Sequence, residues 1–115
     1  MKNIVIYLIF VFTIVFLFGF AYSLSAGSSE GKNIFVNNKC NTCHSVEVQS
    51  IECKKKNPVD LSVIGNSHSS EFISKYLRKV VNVDNKLHKT TFKGTDEELK
   101  VLSEWLGSLK SKETQ

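Results

Sequence analysis

Two kinds of pattern divide the chain. From Ile4 to Tyr22 it reads IVIYLIFVFTIVFLFGFAY, an uncharged apolar run in which Thr13 and the tyrosines supply the polarity. About 20 such residues are enough to cross a bilayer, and a secretory leader has the same character. Beyond it the apolar residues become periodic. Phe72, Ile73, Tyr76, Leu77, Val80 and Val81 recur at steps of one, three and four, the stripe of an amphipathic helix over roughly 70–82, with Ser69 as its N-cap and Glu71 in its first turn. Leu99, Leu102, Leu106 and Leu109 follow Gly94 and a Thr95/Glu98 pair in capping-box spacing, and Lys110 and Lys112 suit the negative end of that helix. A shorter helix is predicted over 30–39 around Ile34 and Phe35. Between Cys43 and Ser69 no strand alternation is sustained. Pro58, Gly65 and Asn66 mark a loop there with one short helical turn, and residues 83–94, VDNKLHKTTFKG, form a second long connection. Three helices and two long loops without a repeat predict a small all-α domain built around something besides its own side chains.

The change of pattern places a boundary at about residue 26, with a leader or anchor over 1–26 and a domain over 27–115. Lys2 ahead of the run and the small residues Ala21 and Ser23 behind it favour a signal cut after Ser23 or Ala26 over a retained anchor through 4–22. Ser25 to Ser29 continue as a flexible polar stretch. In both forms the domain is expected outside the cytoplasm, periplasmic or otherwise extracytoplasmic, either soluble or tethered. No cysteine follows the run directly, so lipid anchoring has no support.

Charge narrows the partners. The chain of 115 residues carries a net +4, and setting Lys2 aside leaves +3. Nucleic-acid binding calls for a denser basic stripe. Lys54, Lys55 and Lys56 read first as a solvated loop and second as a docking patch for an acidic partner. A domain this small buries about 60–65% of its chain surface and often depends on an added staple, which a covalently held cofactor would provide.

The chemistry gathers at CNTCH, residues 40–44. A thioredoxin-like dithiol would need a βαβ context, which the pattern lacks. A structural zinc site would need four ligands, for which Cys40, Cys43, Cys53 and one of His44, His68 or His88 are the available set. A c-type haem site needs two thiols to bond the vinyl groups and an adjacent imidazole to reach iron. The histidine immediately behind the second cysteine favours haem, with Cys40 and Cys43 as thioether anchors and His44 as the proximal ligand.

These residues resemble the small monohaem class I cytochromes c over nearly all of 30–110. The likeness rests on Gly31 and Phe35, CNTCHS, NPVDLSVIG at 57–65, FISKYL, and FKGTDEELKVLSEWLGSLK at 92–110. It implies a fold in which the first and last helices cross at Gly31, with Phe35 packed on Trp105 as a structural pair. It also implies that Pro58 lies beside the proximal histidine, where its carbonyl accepts the Nδ1 hydrogen bond or helps place the group that does. One covalent haem c, electron transfer and redox-protein partners come with the resemblance.

The chain departs from that family in one respect. The usual sixth ligand is a methionine before the last helix, and the one methionine here is Met1. His88, in KLHKTTF, is the first candidate for the distal side and Cys53 the second; Lys89, which must lose a proton to coordinate, and an open site rank below them. His68 is expected at the helix entry or against a haem propionate. Cys53 is an odd thiol in an exported protein, so an inert buried thiol, an intermolecular disulfide in a homodimer or heterodimer, and a thiolate on iron stay open for it. Its place nine residues after His44 argues against the last. No general acid, base or nucleophile set accompanies the motif, so an electron carrier is expected rather than an enzyme. The alternative is a gas-binding or redox-sensing cytochrome with a displaceable His or Cys ligand.

Overall fold

The computed structural model describes residues 1–112, without the side chains of 24–28. The expected flexible stretch from Ser25 and the cleavage point after Ala26 fall among those undescribed side chains. The first helix, α1, spans Lys2–Asn37 as one element. The predicted start near Glu30 is therefore not a helix start, and the intervening sequence contains no proline that would end helical backbone. Its apolar portion, Lys2–Ser23, is long and apolar enough to cross a membrane, and none of its residues is buried within the protein. At the other end Asn38 caps α1 and Lys39 turns left-handed at φ 59°, which hands the chain straight to Cys40.

The second helix, α2, covers Ser70–Leu77, with the Ser69 hydroxyl accepting from Phe72 N as predicted. It stops five residues short of Asn82. Lys79 takes φ 60°, Lys79 N donates to Tyr76 O and Val80 N to Lys75 O, the paired bonds of a Schellman ending. Glycine usually occupies that left-handed position, and a lysine there carries no stop signal. The third helix, α3, runs Asp96–Ser108, and both bonds of the Thr95/Glu98 capping box are made. Leu109 caps its far end, so Lys110 and Lys112 lie beyond the last turn they were expected to close.

Ile34 and Phe35 of α1, Ile73 of α2, and Leu102, Trp105 and Leu106 of α3 form the core, joined by Leu109, Val46 and Ile51. Phe35 meets Trp105 edge-on, with ring centroids 5.6 Å apart and planes at 61°. The close approach depends on Gly31, since a Cβ there would lie 2.3 Å from Trp105 Cβ. This is the helix crossing that the sequence implied.

The first loop is more structured than its pattern suggested. It contains two 3-10 turns, at Glu47–Gln49 and Ile64–Asn66, where one helical turn was predicted, and a further 3-10 turn at Cys40–Thr42 leads into it. Two short strands, β1 (His44–Ser45) and β2 (Val59–Asp60), pair in parallel with His44 opposite Val59. The second loop is pinned at its base by Phe92 N donating to Leu77 O at 3.0 Å and by an ion pair between Arg78 and Asp96. Inside it Val83 bridges Lys86 around Asp84 and Asn85, both left-handed, which is the type I′ turn of a tight hairpin.

Candidate functional site

The 3-10 turn at Cys40–Thr42 spaces the two cysteines. Cys43 N donates to Cys40 O at 3.2 Å, leaving Cys40 half-buried at the edge of the core and Cys43 exposed. Burial pushes the Cys40 thiol up, against a local backbone hydrogen bond. The chain then enters β1, where pairing with β2 fixes His44. Its Nδ1 donates to Val59 O at 3.2 Å. A carbonyl can only accept, so Nδ1 carries the proton and Nε2 keeps its lone pair. Burial lowers the His44 pKa, the Val59 bond opposes that, and nearby His88 adds to the lowering. Of the two roles implied for Pro58, the structure supports the second: the acceptor is the carbonyl of the residue after it.

Asp60, next to Val59, fastens this arrangement. Its carboxylate accepts from Ser45 Oγ (3.0 Å), Glu47 N (3.2 Å), Ser62 Oγ (3.0 Å) and Ser62 N (3.4 Å). Burial acts to raise its pKa, but these hydrogen bonds outweigh that and hold it below the ordinary carboxylate value. Sequence reasoning passed over Asp60, although the D-x-S spacing to Ser62 is a recognisable turn signal.

His88 stands opposite His44. The ring centroids are 6.2 Å apart and the planes 19° from parallel. That separation lies within the range of aromatic pairs and matches a second arrangement as well. It suits one metal atom bridged by two imidazoles, for which a bond of about 2.0 Å and a ring radius of about 1.1 Å on each side span about 6.2 Å. His88 Nδ1 donates to Thr90 O at 2.5 Å, so here too Nε2 is the free nitrogen. The ring of Tyr76 on α2 meets His88 edge-on at 5.2 Å and 76°.

The other candidates lie elsewhere. Cys53 Sγ donates to Thr42 O at 3.4 Å and accepts from Lys55 N at 3.3 Å, which ties it to the CNTCH turn while His88 takes the position facing His44. Lys89 is exposed. His68 stacks on Phe72 with centroids 4.6 Å apart, at the entry to α2 as expected. Among the described residues no three His, Cys, Asp or Glu side chains come together as a metal cluster, so the four-ligand zinc set is not assembled.

With helices crossing at Gly31, a CNTCH turn and a histidine held by a distant carbonyl, the architecture is that of a small haem-binding domain. The cytochrome c family model matches residues 28–110, and the chain belongs to the cytochrome c family. It is a small all-α c-type cytochrome, of a family whose members bind haem and generally carry electrons. Comparisons with curated proteins and with solved structures found no match.

Proposed function

We propose that the protein carries single electrons on one haem c, attached by thioether bonds at Cys40 and Cys43 and held between His44 and His88. The observation that carries this reading is the facing pair of imidazoles, 6.2 Å apart with near-parallel planes. Each ring has its Nδ1 committed to a carbonyl, which leaves two Nε2 lone pairs for one iron. When bound, the haem supplies a one-electron ferric/ferrous couple. The chain's own groups fix the two tautomers, and the Val59 carbonyl raises the basicity of His44. Imidazole in place of methionine is expected to lower the reduction potential, because methionine ligation raises it.

Residues 27–115 are read as a haem domain outside the cytoplasm behind a leader or anchor over 1–26, with a redox protein as partner. The exposed Lys54, Lys55 and Lys56 offer an electrostatic contact for that partner. Spectra of the holoprotein test the ligand set. Wild type and Cys53→Ala are expected to share one low-spin absorption and electron paramagnetic resonance (EPR) signature, and His88→Ala is expected to lose it. A low-spin signature that survives in His88→Ala sinks the assignment.

A second reading, gas binding or redox sensing, draws on the locality of the His88 hydrogen bond, which reaches only two residues along its own loop. Carbon monoxide added to the ferrous protein separates the two. Fast displacement of His88 supports sensing, and resistance to it supports the carrier.

A further inference from the structure

Helix α2 carries two adjacent rows of apolar side chains, and the core uses only one of them. Ile73 and Leu77, four residues apart, pack with the core, where α2 lies against α3. The neighbouring row, His68, Phe72 and Tyr76, is half-buried but stands outside that cluster. Its rings contact one another in sequence. His68 lies 4.6 Å from Phe72 at 13°, Phe72 lies 6.4 Å from Tyr76 at 16°, and Tyr76 lies 5.2 Å from His88 at 76°. All three separations fall in the range of attractive aromatic pairs, and the last has the preferred edge-to-face geometry.

The row ends on a ring that its own loop constrains weakly. The bond from His88 to Thr90 O fixes the tautomer, but Thr90 moves with the same loop. His44, in contrast, is oriented by Val59 on the opposing strand. Alignment of His88 with His44 therefore needs a contact from outside the distal loop, and Tyr76 makes one. Resting on the reading of His88 as an axial ligand, we infer that Tyr76, backed by Phe72 and His68, is a positioning residue that sets the plane of the distal imidazole at 19° to the proximal one.

The angle between axial imidazole planes has a direct electronic signature. Near-parallel planes lift the degeneracy of the two iron dπ orbitals that overlap with the imidazole π systems and give a rhombic low-spin ferric EPR spectrum. Crossed planes leave the orbitals nearly degenerate and give a strongly axial spectrum with one large g value.

The test compares full-length holoproteins with wild type, Tyr76→Phe and Tyr76→Leu. Wild type and Tyr76→Phe, which keeps the ring edge, are expected to be rhombic. Tyr76→Leu is expected to move towards the axial form and to bind carbon monoxide in the ferrous state about three- to tenfold faster, the worth of one aromatic pair. A Tyr76→Leu spectrum that superposes on wild type overturns the inference. So does a Tyr76→Phe spectrum displaced as far as that of Tyr76→Leu, which would assign the effect to the hydroxyl. If Tyr76→Leu does not accumulate, Phe72→Leu carries the test with a smaller shift in the same direction, and no shift there overturns it as well. Failure of the underlying reading looks different: His88→Ala would then keep the wild-type spectrum.

Discussion

His44 is held by a carbonyl fifteen residues away along the chain, whereas His88 is held by one only two residues away. The loop behind His44 is fastened to itself repeatedly, by the β1–β2 pair and by the four bonds to Asp60. The loop bearing His88 is pinned at its base by Phe92 N to Leu77 O and by Arg78–Asp96, and the Tyr76 ring meets it from α2. Segments with few long-range bonds open at lower free energy than densely bonded ones. One side of the site is thus a fixed reference, and the other is the side on which ligand geometry and ligand exchange can be tuned.

The largest effect separates the two histidines. His44→Ala is expected to abolish accumulation of a native haem complex, measured as the Soret absorbance per unit of protein. His88→Ala is expected to retain covalent haem and become high-spin. Equal losses in the two variants would mean that the two sides do not differ as described.

A change remote from both sides calibrates the rest. Gly31→Ala places a methyl group against Trp105 and is expected to cost about 1–3 kcal/mol in denaturant unfolding, with the spectrum of the folded holoprotein unchanged. Asp60→Ala breaks the proximal fastening and is expected to cost about 1–2 kcal/mol, reduced from a buried charged network because the site is largely solvated. Asp60 also gives the comparison a pH axis. Its folded pKa lies below the ordinary 3.8, so its contribution is complete above that value and is lost as pH falls through the lower folded value. Acid unfolding of Asp60→Asn should accordingly show a shallower pH dependence in that window. Arg78→Ala loosens the distal base through an exposed ion pair and is expected to cost less than about 1 kcal/mol, an effect that shrinks as salt is added.

Both helix N-termini of the domain's later half were legible because their signals are local. Ser69 and Thr95 bind backbone N–H groups three residues ahead, and such spacing is visible in a string of letters. The end of α2 was not, because Lys79 adopts a conformation for which glycine is the usual marker. CNTCH drew attention to Cys40, Cys43 and His44 because the motif is compact. The facing of His88 and His44 depends on two loops folding back from positions 44 residues apart in sequence, so the pattern could rank His88 ahead of Cys53 but could not show the two rings meeting. Val59 contributes a backbone carbonyl, which no side-chain pattern records.

Gly31 and Trp105 bring a further consequence, in the order of assembly. The contact joins the beginning of the domain to its last helix, a pairing across most of its sequence, so this crossing cannot close until α3 has been made. A ribosome delivers Cys40 and Cys43 well before Trp105. For that interval the CNTCH segment belongs to an open chain. Closure by α3 then acts as the step that completes the core against which Cys40 packs.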